Sequence, residues 1–266
     1  MTDLRTVIAD LTTEGEEVDR LVADLTAEQW RLATAAPGWT VTHQIGHLAF
    51  IFRIAGMAAA DPAGFGRLAS GVRDGNAFDA AVNGALAEFV EDPPEVLLSR
   101  WRAERDTGIK ALAAVPADTL VPWLVNPLPP FVLACAGMME LFAHGQDIAD
   151  ALGVRPVRTD RVAYLAGFVA RTWNFGYQAR NLPTPDVELR FELTLPSGRP
   201  WATGPEDATQ RVSGPALDLC LLATRRRHRD DLALTATGDV AEQWLDLAQC
   251  YRGPAGEGRR PGQFAR

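Results

Sequence analysis

One apolar run broken by a single carboxylate and a single imidazole, Met138-Met139-Glu140-Leu141-Phe142-Ala143-His144-Gly145-Gln146-Asp147, constrains this chain more than any other stretch. In a helix of 3.6 residues per turn, Glu140 and His144 stack on one face and point at a common atom. Burying them among methionine, leucine and phenylalanine needs compensation, and a divalent metal is the strongest available. An exposed i to i+4 pair on a helix surface is the plainer reading, and the apolar company argues against it. A second stretch, Trp39-Thr40-Val41-Thr42-His43-Gln44-Ile45-Gly46-His47-Leu48, again sets two imidazoles four apart, so that His47 or His43 can supply a third ligand. A His, Glu, His set leaves positions open on the metal, the layout of a catalytic site. Zinc is the default ion, but two imidazoles and one carboxylate also match the facial triad of non-haem iron. Asp147, one turn after His144, is a candidate acceptor orienting that imidazole and equally a solvated helix residue.

The periodicity along the chain supplies facing helices for these residues. Leu4, Val7, Ile8, Leu11, Val18, Leu21 and Val22 form an amphipathic stripe over residues 3–24, and Thr26 to Trp30 reads as a capped turn. Thr40 is the expected N-cap of a helix running to Ala60, ended by Asp61-Pro62-Ala63-Gly64-Phe65-Gly66. Helices are expected over 78–90, 94–115 and 131–152, the last stopped by Gly153. Between the last two, the proline-rich residues 121–130 suit a loop lying over a pocket. Together these predict an antiparallel four-helix bundle, in which side chains from facing helices build metal sites.

After Arg155-Pro156 the pattern changes, which predicts a helical domain over 1–155 and a small α+β domain over 156–266. A helix over 160–179 precedes the strict alternation of residues 187–195, a half-buried strand. Strands are expected at 200–203, 210–213 and 232–237. Helices are expected from Pro215, as first helical residue, to Arg226 and from Val240 to Cys250. The tail from Gly253, rich in Gly, Pro and Arg, has the composition of a disordered segment.

Composition narrows the functions. A net charge of -8 argues against nucleic acid as a partner. No apolar run is long enough to span a bilayer, and the first residues lack the layout of a signal peptide, so the expected location is the cytoplasm. Cys135, Cys220 and Cys250 are scattered among apolar neighbours and read as reduced core residues. Lys110 is the one lysine among 26 basic residues, which suits a GC-rich genome. Arg225-Arg226-Arg227-His228-Arg229 is the densest basic run. Such runs are usually solvated faces, but arginine can also hold an anionic group of a small ligand in bidentate fashion.

At these motifs the sequence resembles the DinB-like superfamily, and within it the mycothiol-dependent maleylpyruvate isomerase type. The likeness lies in Trp39-Thr40-Val41 leading to His47-Leu48, in Glu140 to Ile148, in Val212-Ser213-Gly214-Pro215-Ala216, and in Trp244-Leu245 through Gly253-Pro254 to Gly258-Arg259. It implies a second domain similar to sterol-carrier-like modules, and a divalent metal, usually zinc with iron or nickel as alternatives, held by His47, Glu140 and His144. It further implies mycothiol or a similar low-molecular-weight thiol, and a second-domain arginine important for activity and for holding that cofactor, best matched by Arg226. A homodimer is left open. Two departures stand out. Relatives commonly carry an acidic residue where this chain has His43, and another after the His-Leu pair, where this chain reads Ala49 to Arg53. His43 is then a fourth ligand, an acid or base beside the metal, or a sign that the ancestral chemistry is gone. Three activities remain open: thiol transfer to or isomerisation of an electrophilic small molecule, metal-dependent hydrolysis or elimination without a thiol, and non-catalytic binding of an apolar ligand.

Overall fold

The structure, a computed structural model, describes residues 3–70, 84, 86–124 and 126–264. The chain divides into two compact units, Met1–Pro156 and Val157–Arg266.

In the first unit α1 (Leu4–Val22) is capped by Asp3, whose carboxylate accepts the Thr6 N–H at 2.8 Å. The short α2 (Ala27–Trp30) is closed by reciprocal bonds between Thr26 and Gln29. α3 (Val41–Ala60) follows Thr40. The residues expected only to end it also begin α4 (Pro62–Ala69), since the Asp61 carboxylate accepts the Gly64 N–H at 2.9 Å and Pro62 takes the first helical position. Residues 86–90 are helical; of the helix expected over 78–90, positions 78–83 and 85 lie outside the described residues. α5 (Pro94–Ala113) and α6 (Pro130–Leu152) both start on proline, and α6 ends at Gly153, whose φ of 67° is the left-handed conformation a glycine cap adopts. Val121 and Leu128 pair across the proline-rich loop, and Trp123 stacks on Phe65 of α4 with ring centres 5.8 Å apart.

α1, α3, α5 and α6 pack around a core that includes Val7, Leu11, Ile45, Leu48, Trp101 and Leu141. The antiparallel packing expected holds for α3 against α6, where Gln44 bonds to His144 and Phe52 lies beside Gly137. It also holds for α1 against α5, where Gly15 meets Arg105 and Asp19 meets Arg102. The other two pairs run parallel. Leu11 lies against Gly137 and Val18 against Gly145, while Arg53 bonds to Glu104 at 2.8 Å and Gly56 lies against Gly108. A parallel α3–α5 pair needs a long return, which residues 61–93 supply. At their crossing the backbones touch: a Cβ on Gly108 would lie 2.5 Å from the Phe52 carbonyl oxygen.

The second unit contains α7 (Val162–Arg171) and α8 (Phe175–Gln178) in place of the single helix expected. The break falls at 172–174, where the Trp173 carbonyl accepts the Trp244 indole N–H at 2.8 Å. Strands β1 (Leu189–Thr194), β2 (Pro200–Thr203), β3 (Gln210–Pro215) and β4 (Thr235–Thr237) form a sheet of order β2-β1-β3-β4. β1 is antiparallel to β2 with Phe191 opposite Thr203, and parallel to β3, which is antiparallel to β4. The alternation of β1 buries Leu189, Phe191 and Leu193. Pro215 closes β3 instead of entering α9 (Ala216–Ala223), and α10 (Asp239–Leu247) follows β4. β4 is shorter than expected because the Ala233 N–H is given to the Asp218 carboxylate at 2.7 Å and not to a strand. Trp244 packs edge-on against Phe191. The tail is more fastened than its composition suggests, since the Gly262 N–H bonds both Asp231 carboxylate oxygens and Phe264 lies under the Arg227 guanidinium.

Candidate metal centre

α3 and α6, antiparallel, bring His47, Glu140 and His144 together. One ligand atom from each lies within 4.8 Å of the others. His47 Nε2 is 3.5 Å, and His144 Nε2 3.2 Å, from Glu140 Oε2. Donors bound tetrahedrally at roughly 2.0–2.2 Å stand about 3.3–3.6 Å apart, so a small divalent ion fits this spacing with little rearrangement. Glu140 keeps 20% side-chain exposure, so the centre is open to solvent on one side.

Electrostatics favour the charged form of the ligand set. Burial alone would raise the Glu140 carboxyl, but hydrogen bonds from His144 and His47 outweigh it and hold the group well below the usual carboxylate range. Glu140 is therefore ionised, and the centre carries the negative charge a cation needs.

The rings are held differently. His144 Nδ1 lies 2.5 Å from Gln44 Oε1. Gln44 is fully buried and donates through Nε2 to Thr34 Oγ1 at 2.9 Å, and Thr34 donates to the Trp39 carbonyl at 3.0 Å. This relay orients the Gln44 amide with its oxygen toward His144, so Nδ1 carries a proton and Nε2, which donates to Glu140 here, is the nitrogen left to release its proton and coordinate an ion. His47 Nδ1 is buried with no partner. Its ring is positioned by packing, 4.5 Å from the His144 ring and 5.3 Å from Trp39.

His43 sits on the first turn of α3 and closes the helix end. Its Nδ1 accepts the Thr40 N–H at 3.2 Å and lies 2.8 Å from Thr40 Oγ1. That arrangement assigns the proton to Nε2. Burial lowers the basicity of His43, so the ring is neutral at neutral pH. Trp39, half-buried, is the common neighbour of the imidazoles, its centre 6.3 Å from His43 and 5.9 Å from His144. Arg226 belongs to the second unit, on the turn after α9, where its Nη1 donates to the Thr224 carbonyl at 2.6 Å. Gln44 and Thr34 escaped the sequence reading. The available signal was a polar residue three positions before His47, on the same helix face, in an otherwise apolar helix.

Residues 11–149 match the sequence model described as the mycothiol maleylpyruvate isomerase N-terminal domain, and the chain belongs to this family. Residues 192–237 also match a model described as wyosine base formation. An uncharacterized Mycobacterium tuberculosis protein, found in strains H37Rv and CDC 1551, is 40% identical over 259 residues, which cover 97% of this chain and 100% of the relative. The fold is similar to crystal structures of the mycothiol-dependent maleylpyruvate isomerase and of a histidine-to-alanine mutant of it. The TM-scores are 0.58 and 0.60 at 16% identity, over 88% of this chain and 93% of those. These confirm the resemblance carried by the motifs and the two-domain α+β architecture. Among the described residues, no helix is long and apolar enough to cross a membrane.

Proposed function

We propose that this protein is a metal-dependent enzyme that activates a low-molecular-weight thiol of the mycothiol type for transfer to, or isomerisation of, an electrophilic small molecule. The observation that carries this reading is the convergence of His47 Nε2 and His144 Nε2 on the Glu140 carboxylate, in a chain of the mycothiol maleylpyruvate isomerase family. His47, Glu140 and His144 would hold the ion, with zinc the first choice. A divalent metal in such a site supplies a Lewis acid that lets a thiol bind as thiolate near neutral pH.

The remaining chemistry belongs to the chain. The Gln44 carbonyl holds the His144 Nδ1 proton, so that Nε2 would be the nitrogen to coordinate the ion. Neutral His43, with its proton on Nε2, is suited to donate that proton to a substrate atom and to recover one. Trp39 offers a half-exposed aromatic face beside three imidazoles, against which a flat, conjugated electrophile can stack. Arg226 is assigned to a carboxylate of the substrate or to the polar body of the thiol. If the thiol adds to and later leaves the substrate, the outcome is isomerisation; if it stays, the outcome is transfer.

The test compares wild type with His144→Ala for metal content by inductively coupled plasma mass spectrometry and for turnover with and without mycothiol. Near-stoichiometric metal and thiol-dependent turnover, both lost in the variant, are expected. Full activity in a metal-free variant would overturn the proposal, and turnover in thiol-free buffer would replace thiol activation by hydrolysis or elimination.

A further inference from the structure

Gln44 stands in the middle of a chain of hydrogen bonds in which every donor points away from the metal centre. His144 Nδ1 donates to Gln44 Oε1 at 2.5 Å, Gln44 Nε2 to Thr34 Oγ1 at 2.9 Å, and the Thr34 hydroxyl to the Trp39 carbonyl at 3.0 Å. The far end is a tight loop over residues 32–41, closed like a hairpin. Ala33 pairs with Thr40, the Val41 N–H donates to the Leu32 carbonyl at 3.1 Å, and the Trp39 carbonyl also accepts the Thr34 N–H at 2.8 Å. The same loop sets the Trp39 ring 5.9 Å from the His144 ring, their planes 22° apart. Trp39 is thus joined to one ligand of the centre twice, through hydrogen bonds and through ring contact.

This chain of bonds has a second possible order. A primary amide carries its oxygen and its nitrogen at nearly equivalent positions, so turning the end of the Gln44 side chain over exchanges donor for acceptor at both ends. His144 Nδ1 would then accept, which confines the proton of a neutral ring to Nε2, the nitrogen that faces Glu140. Thr34 would give its hydroxyl proton to Gln44 Oε1, and the Trp39 carbonyl would lose that bond. Gln44 is fully buried, so a partner lost there is costly. Only the first order keeps a proton on His144 Nδ1 and leaves Nε2 to coordinate, and only the first order fastens the loop through the Thr34 hydroxyl.

We infer that Thr34 is a positioning residue for the metal centre: by donating to the Trp39 carbonyl, its hydroxyl biases the Gln44 amide into the coordinating order, so that a fastened Trp39 loop and a loaded centre favour each other. The inference rests on the metal-dependent reading proposed above and adds an order of events to it. The Trp39 face is fixed once the ion is in place, and an aromatic substrate stacks on it afterwards. Coupling of this kind is reciprocal: the factor by which the fastened loop raises ion affinity is the factor by which the ion favours the fastened loop.

Two measurements on the full chain test it: zinc affinity by competition with a chromophoric chelator, and amide hydrogen exchange of residues 32–41 by mass spectrometry with and without zinc. Thr34→Val keeps the shape of this half-buried side chain and its backbone bond but removes the hydroxyl, and Thr34→Ser restores it. In wild type, zinc is expected to slow exchange across the loop by about fivefold or more, the lower end of usual couplings between sites. Thr34→Val is expected to bind zinc about fivefold or more weakly and to lose the zinc-dependent protection, while Thr34→Ser recovers both to within about twofold. A hydroxyl that merely stabilised the loop would alter exchange equally with and without zinc. Three outcomes would each overturn the inference and leave the metal-dependent reading standing: wild-type zinc affinity in Thr34→Val, loop exchange that zinc leaves unchanged, or a serine variant as weak as the valine one. Wild type that binds no zinc would remove both.

Discussion

His144 Nδ1 and Gln44 Oε1 stand 2.5 Å apart across the α3–α6 interface, and this contact selects which nitrogen of the imidazole faces Glu140. Partners of this kind typically govern metal affinity by about 10–100-fold. Gln44→Leu is expected to weaken metal retention by roughly that factor, while Gln44→Glu, which keeps an acceptor at Nδ1, retains most of it. Competition with a chromophoric chelator reads both. Equal affinity in wild type and Gln44→Leu would show that packing alone sets the ring.

The structure gives His43 a capping duty, and the proposed mechanism gives it a second. As the third residue of α3 it accepts the Thr40 N–H, a bond that glutamine at the same position also makes. His43→Gln should therefore leave stability within about 0.5 kcal/mol by urea denaturation, while turnover falls by about 10²–10⁴-fold if the ring moves protons. An unchanged kcat would reduce His43 to a cap.

The same residue sets a pH dependence. Burial depresses the folded pKa of His43 below 6.5, so the folded state binds fewer protons than the unfolded state once the pH falls below that value. Its contribution to stability is complete above pH 6.5 and is lost as the pH falls toward the folded pKa. Wild type should therefore lose more stability than His43→Gln between pH 7 and pH 5, in thermal melts across that range. Parallel curves would show that the ring titrates alike in both states.

The contact of α3 with α5 admits no side chain. Gly108→Ala drives a methyl into the Phe52 carbonyl and is expected to destabilise the protein by about 1–3 kcal/mol or more. Gly66→Ala in α4, with nothing within 4 Å of its added Cβ, should instead stabilise by up to about 1 kcal/mol. Denaturant midpoints of the two variants moving in opposite directions would confirm the crossing.

All three cysteines are buried, and burial pushes the Cys135 thiol up to about 12. Native protein should therefore resist a thiol-specific reagent at pH 8 and release three equivalents on unfolding. Rapid labelling of native protein would place a reactive cysteine at the surface.

Much of this architecture was legible because periodicity reports burial directly. The stripe of α1, the alternation around Phe191 and the four-residue spacing of Glu140 and His144 each name the face that turns inward. What escaped depended on partners far away in sequence. Nothing near Trp173 announces that its carbonyl is taken by Trp244, so one long helix was expected where two stand. Asp61-Pro62 reads equally as a stop and as a start, and only the bond to Gly64 decides. Parallel and antiparallel helix pairs carry the same amphipathic signature, so the direction of α5 against α3 is invisible until Gly56 and Gly108 are seen to touch. Gln44 escaped notice because its meaning lies on another helix.

Gln44 and His144 are separated by 100 residues of chain. No fragment that ends before α6 contains the centre, and an unfolded chain, with its ligands dispersed along that span, has no comparable pocket for an ion. Any cation that occupies the centre therefore binds the native state alone and draws the folding equilibrium toward it, by about 2.7 kcal/mol at a free concentration 100 times its dissociation constant. The ion supply of the surroundings thereby becomes a term in the lifetime of the protein.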